Sequence, residues 1–255
     1  MIKLKTADEI GLMEVSGRVV GRILLELSGI IAPGISTWDI DRFVEESILK
    51  AGMIPSFKGY DGFPASACVS VNDEIVHGIP DKSRILKDGD IVSVDIGATY
   101  RGWVSDAART YPVGEPSSEA LRLIEVCRQS FFDCLDYCRK GNRLSDIGHA
   151  VQKTTEAAGF SVVRDYVGHG IGQDMHEDPK VKNYGPPGKG PKLLPGMALA
   201  IEPMINAGGY EAEVLLNNWT VVSQDGSLSA HYENTVVITE GDPAILTLDE
   251  SEERG

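Results

Sequence analysis

Two aspartates inside an apolar hairpin are the first residues of this chain that could do chemistry. In Asp90-Ile91-Val92-Ser93-Val94-Asp95-Ile96-Gly97, Asp95 shares a face with Ile91, Ser93 and Gly97, while Val92, Val94 and Ile96 take the other. Asp106 lies with Val104 and Ala108 on the return strand. A turn centred between Tyr100 and Arg101 sets Asp95 directly opposite Asp106, with Cβ atoms about 5 Å apart. Like charges so placed destabilise a sheet unless a proton or a cation relieves them. Glu202 and Glu233 are two further acids within apolar, β-branched runs, where an unpaired charge is costly. His169 stands between Gly168 and Gly170, whose missing side chains let backbone come close. Four carboxylates and one imidazole converging on one site need about two divalent cations. Such oxygen-rich ligation suits Mn, Fe, Co or Zn and excludes a thiolate-type site. A pair of cations can clamp both ends of a hydrolytic displacement. The His169-to-His176 spacing is not the His-Glu-x-x-His of helical zinc proteases. A dinucleotide fingerprint over Gly168, Gly170 and Gly172 fails because Gln173 stands where Gly or Ala is needed.

The elements that must position these groups are legible in outline. Residues 8 to 27 read as an amphipathic helix, broken at Pro33-Gly34, and a second helix runs from about Thr37 to Lys50. Strands are expected at Cys68 to Val71 and Ile75 to Ile79, then at Asp90 to Thr99 and Trp103 to Tyr111. The second half begins the same way. Ser117 or Ser118 caps a long helix reaching about Arg139, and Ser145 caps another that ends at Gly159. Gly34, Asp39, Ile40, Val44, Ala51 and Gly52 recur 107 residues later as Gly141, Asp146, Ile147, Val151, Ala158 and Gly159. A repeated helix-helix-strand unit suggests two pseudo-equivalent halves, about 8–112 and 115–240, in one α+β domain spanning 1–255. The acidic tail from Asp249 to Gly255 is expected to fray.

The 255 residues carry 24 Lys plus Arg against 38 Asp plus Glu, a net charge of −14. That balance argues against nucleic acid or an anionic membrane as a main partner. No apolar run reaches the eighteen or so residues that span a bilayer, and the N-terminus has no signal-like apolar stretch. A reduced, cytoplasmic setting is expected. Cys127, Cys134 and Cys138 share one helical face and read as core packing.

The order His77, Asp95, Asp106, His169, His176, Glu202, Glu233 resembles that of the type I methionine aminopeptidases over nearly the whole chain. The stretches most similar to that family are His77-Gly78-Ile79-Pro80, Lys87-Asp88-Gly89-Asp90-Ile91-Val92, Gly168-His169-Gly170-Ile171-Gly172, Pro195-Gly196-Met197 and Ile201-Glu202-Pro203. The resemblance implies the pita-bread fold, two pseudo-symmetric halves around one curved antiparallel sheet. It implies two divalent metal ions, with Asp95 on one, Asp106 and Glu233 bridging, and His169 and Glu202 completing the second. Glu202 would be the general base, His176 would stabilise the oxyanion, and His77 would contact the amide nitrogen. Tyr60, Phe63, Cys68, His77, Met175 and Trp219 are the implied methionine pocket. The implied reaction removes the initiator methionine from nascent polypeptide N-termini when a small residue follows. Met175 replaces a common Phe, Phe63 a Tyr found in several members, and Asn234 a common His; these bear on pocket shape, and none removes a ligand. Lys180, Lys182, Lys189 and Lys192 lie in a Gly/Pro-rich loop, where solvation is expected over transient contact with the ribosome. A monomer is expected. The alternatives are a related Xaa-Pro peptidase, and an inactive pita-bread binding protein.

Overall fold

In the computed structural model, which describes residues 1–248, four α-helices lie against antiparallel strands that carry Asp95 and Asp106 and flank Glu202 and Glu233. The acidic segment expected to fray lies outside the described residues. Helix α1 spans Ala7–Leu27 and α2 spans Thr37–Lys50; α3 spans Ser118–Cys134 and α4 spans Leu144–Ala157. Thr6 with Glu9 and Ser36 with Asp39 form reciprocal capping boxes that satisfy otherwise orphaned N–H groups of the first two helices. Ser117 caps α3 as expected. The cap of α4 differs from expectation. Arg143 occupies that position, the Asp146 carboxylate accepts from its N–H at 2.7 Å, and the Ser145 hydroxyl instead accepts from Lys189 N at 2.7 Å. Helix α3 also stops short of Arg139, tightening into a 3₁₀ turn over Leu135–Tyr137.

The 107-residue repeat has a physical basis. Gly34 and Gly141 both adopt positive φ, and each donates its N–H to the leucine carbonyl at the matching position, Leu86 at 2.8 Å and Leu193 at 3.0 Å. Asp39 and Asp146 both accept from the N–H of their N-cap residue. Gly52 and Gly159 both take positive φ just past their helices. Two copies of one helix-strand corner are therefore built from the same residues, and the same offset carries Asp95 onto Glu202.

The hairpin Ile91–Tyr100 and Trp103–Pro112 corrects the expected register. The turn is centred one residue later, on Arg101 and Gly102, both at positive φ (49° and 82°), which is the two-residue turn whose twist matches paired strands. Asp95 consequently pairs with Ala108 and Asp106 with Gly97. A one-residue shift of the turn moves the pairing by two, so both acids keep the same face and become diagonal neighbours. The strand expected over Ile75 to Ile79 ends at Val76, because His77 swings to φ 58°; it pairs with Val221–Ser223.

Four apolar clusters hold this frame, the smallest formed by Ile75, Val76, Val163, Met204 and Val221. One packs α1 and α2 on the first hairpin (Val20, Leu24, Ile40, Val44, Val92, Val94), and one packs α3 and α4 on the later strands (Leu123, Phe131, Ile147, Val151, Leu199, Ile201). Cys127, Cys134 and Cys138 are free thiols buried in the second cluster, consistent with packing. A third, formed by Met13, Phe57, Phe63, Cys68, Ile171, Met175 and others, includes several residues that line the cavity described next. No helix among the described residues is long and apolar enough to cross a membrane.

Candidate metal centre

The strands deliver their acids to the floor of one cavity of about 250 Å³. Asp95 and Asp106 come from the first hairpin. His169 lies on Gly168–Gly170, Glu202 follows Ala198–Ile201, and Glu233 lies between Ser229–His231 and Asn234–Val237. His169 pairs with Ala200, which sets it two residues from Glu202 across adjacent strands. The flanking glycines are required by packing: a Cβ on Gly168 would overlap the Ala200 carbonyl, and one on Gly170 the Asp178 carbonyl. Glu233 is fixed to the first hairpin through its own backbone, its N–H donating to Ala108 O at 3.0 Å and its carbonyl accepting from Arg109 Nη1 at 2.6 Å. Asp106 is held likewise, its N–H donating to Thr235 Oγ1 and its carbonyl accepting from the same hydroxyl.

The side-chain geometry fits divalent cations. Nε2 of His169 lies 3.6 Å from Glu202 Oε1 and 3.9 Å from Asp106 Oδ2, too far for hydrogen bonds and suited to atoms that share an ion. Its Nδ1 meets the Gly170 carbonyl at 2.9 Å, so Nδ1 carries the proton and Nε2 keeps its lone pair. Asp95 and Asp106 are diagonal neighbours on one face of the hairpin, and each acid's carboxyl acts on the other's protonation. Among the described residues, Asp95 Oδ1, Asp106 Oδ1 and Glu233 Oε1 are buried with no hydrogen-bond partner. Orphaned buried acceptors of this kind are rare in folded proteins unless an ion or water meets them. Asp106, His169 and Glu233 together form one group whose ligand atoms lie within 4.8 Å of one another.

Without cations this cluster is electrostatically expensive. Burial first, then the neighbouring acids, raises the carboxyls of Asp95, Glu202 and Glu233 well above their ordinary range. Burial raises Asp106 to about 7, against the hydrogen bond from Asp95 that lowers it. The folded, cation-free chain therefore holds protons more tightly than the unfolded one. Stability from this source is complete below the unfolded carboxyl range and is lost as pH rises through the raised values. Buried imidazoles oppose this at lower pH: burial pushes His77 down to about 4 and His169 and His231 to about 3, so they favour the folded state as pH rises through the unfolded histidine range. The window above it is free of the imidazole effect, and added cation separates the acids from the buried thiols of Cys68, Cys127 and Cys134, whose raised values act in the same direction. Chelator-treated protein is expected to melt at a lower temperature at pH 9 than at pH 7, with added divalent cation abolishing the difference. Equal melting temperatures under chelator would contradict the strained acid cluster.

Around the acids the cavity is lined by Tyr60, Phe63, Cys68, His77, Met175, His176 and Trp219, all of the expected pocket residues. Phe63 and Trp219 meet edge to face at 5.2 Å, and His77 stands edge-on to Tyr166 at 5.8 Å. Gly97 leaves space that a Cβ would deny, since it would crowd Phe57 and Met175. His176 sits on the more open side, with its Nδ1 2.8 Å from Tyr60 Oη and its ring 4.3 Å from that of His169. The loop carrying it is pinned by a buried pair, Lys5 Nζ to Glu177 Oε2 at 2.7 Å. Phe57, Asp61, Val76, Tyr166, Val167 and Met204 complete the lining and carry no local sequence signal. His231, read from sequence only as a neighbour, also reaches the acids, 3.8 Å from Glu202 Oε2 and 3.7 Å from Glu233 Oε2.

Residues 11–240 match the metallopeptidase family M24. A methionine aminopeptidase of Clostridium acetobutylicum is 55% identical over 248 residues, covering 97% of this chain and 99% of that protein. The solved methionine aminopeptidase of Thermotoga maritima superposes with a TM-score of 0.96 at 46% identity, covering 98% of this chain and all of the other. An Xaa-Pro dipeptidase of Bacillus anthracis shares the fold at a TM-score of 0.77 and 22% identity, covering 96% of this chain but only 61% of the larger enzyme. The chain belongs to metallopeptidase family M24, among its type I methionine aminopeptidases.

Proposed function

We propose that this chain hydrolyses the peptide bond after an N-terminal methionine, using two divalent cations held by Asp95, Asp106, His169, Glu202 and Glu233. The observation that carries the reading is the convergence of those five side chains, with orphaned oxygens, on the floor of an apolar cavity sized for one side chain. When bound, the cations would polarise the scissile carbonyl and make water nucleophilic near neutral pH. By the family resemblance Asp106 and Glu233 would be shared between the cations, with Asp95 helping to hold one and His169 with Glu202 the other.

Glu202 is the general base: it takes a proton from the attacking water and returns it to the leaving amine. Burial keeps His77 neutral and pushes His176 the same way, so neither imidazole brings a competing positive charge. The Tyr60 hydroxyl, donating to His176 Nδ1, leaves Nε2–H free to meet the developing oxyanion. His77 contacts the amide nitrogen. The methionine side chain is received by Tyr60, Phe63, Cys68, Met175 and Trp219, where a flexible thioether packs well against rings. Selection of a small second residue follows the type I methionine aminopeptidases that the chain resembles, as expected for initiator methionine on nascent chains in the cytoplasm. Release of methionine from Met-Ala-Ser is expected to exceed that from Met-Leu-Ser by about a hundredfold or more in kcat/KM; comparable rates would remove the small-residue selectivity.

A further inference from the structure

His231 lies outside the five-residue ligand set, yet its ring nitrogen approaches two of the acids. It is 1% exposed, and its Nε2 has no hydrogen-bond partner among the described residues. That atom stands 3.8 Å from Glu202 Oε2 and 3.7 Å from Glu233 Oε2, too long for hydrogen bonds. The separations match those of His169, whose Nε2 lies 3.6 Å from Glu202 Oε1 and 3.9 Å from Asp106 Oδ2. Atoms that each approach one ion at about 2.0–2.2 Å stand apart by about this much. Glu202 thus faces an imidazole on each of its two oxygens. Glu202, His231 and Glu233 form a ligand-competent trio within 4.8 Å, as Asp106, His169 and Glu233 do. The backbone fixes the ring in place: His231 N–H donates to Thr110 Oγ1 at 2.9 Å, and its carbonyl accepts from the same hydroxyl at 2.9 Å.

We infer that His231 is a second imidazole ligand of the metal centre, binding through Nε2 to a cation shared with Glu202 and Glu233. The assignment rests on the metal-dependent reading above and adds one nitrogen to it. A second nitrogen ligand shifts the centre's preference away from Mn and toward Zn, Fe or Co, because imidazole suits the latter and oxygen ligands the former.

The test compares metal-free wild type, H231Q and H169Q, each loaded with one equivalent of Cu(II) and measured by pulsed EPR to count bound imidazoles. Two are expected in wild type and one in each variant. Calorimetric titration should show Zn(II) affinity weakened about tenfold or more in H231Q, with a smaller loss for Mn(II). Apo melting curves identify any variant that fails to fold, and H231N then replaces H231Q. A single imidazole in wild type, kept in H231Q and lost in H169Q, would overturn the assignment of His231 while leaving the metallopeptidase reading intact. Wild-type protein that binds no cation and releases no methionine would instead remove the reading on which it rests.

Discussion

Glu233→Ala is expected to leave a folded protein that releases methionine at least about a thousandfold more slowly than wild type, and Asp106→Ala to behave alike. Both carboxylates are buried within the acid cluster, 1% and 4% exposed, and both belong to the trio they form with His169. Losing a shared ligand loosens both cations together, and metal-assisted polarisation is worth several kcal/mol of barrier, where each 1.36 kcal/mol is tenfold in rate. The fold should tolerate the change, because the backbone groups of both residues are held independently of their side chains by Ala108, Arg109 and Thr235. Removing one of several buried like charges also relieves repulsion in the cation-free state, so the apo melting temperature at neutral pH should not collapse. Methionine release, bound-metal stoichiometry and thermal melting check this together. Near-normal turnover in either variant would contradict a shared-ligand role.

His176→Ala is expected to lower kcat by about a hundredfold to a thousandfold, the usual cost of losing one oxyanion donor, while cation affinity stays near wild type. His176 reaches the site through Tyr60 and a tilted ring contact with His169, and it belongs to neither ligand-competent trio among the described residues. The comparison of kcat with calorimetric metal affinity separates donor from ligand. Parallel loss of both would make His176 a ligand, and an unchanged kcat would leave the oxyanion without its assigned donor.

Much of this centre was legible because the sheet encodes it in short-range patterns. Side-chain alternation placed Asp95 and Asp106 on one face, and that survived an incorrect register because a one-residue shift of the turn preserves parity. The register itself was not legible: Arg101 adopts positive φ beside Gly102, and nothing in an arginine announces that. The glycines around His169 advertised a close approach, and the structure supplies its object in the Ala200 and Asp178 carbonyls. The 107-residue repeat was visible because two equivalent corners need the same glycines and capping aspartates. The same offset carries Asp95 onto Glu202, and the strands Ile91–Tyr100 and Ala198–Ile201 begin at matching positions. The cap of α4 is not legible because Ser145 has the right chemistry two residues past the N-cap position that Arg143 holds, and the Lys189 N–H claims its hydroxyl from a distant loop. Phe57, Tyr166 and Met204 reach the cavity through tertiary contacts with no local period. His231 alternates with Glu233, yet its orientation toward Glu202 depends on a pairing with Met204 that sequence spacing does not contain.

Metal-dependent release of methionine by the full chain is the most direct consequence of five ligands converging in this cavity. Purified protein stripped with chelator should release no methionine from Met-Ala-Ser. Stepwise addition of Mn, Fe, Co or Zn should restore activity, with binding saturating at about two equivalents. Full activity in the presence of chelator, or no release with any of the four metals, would contradict it.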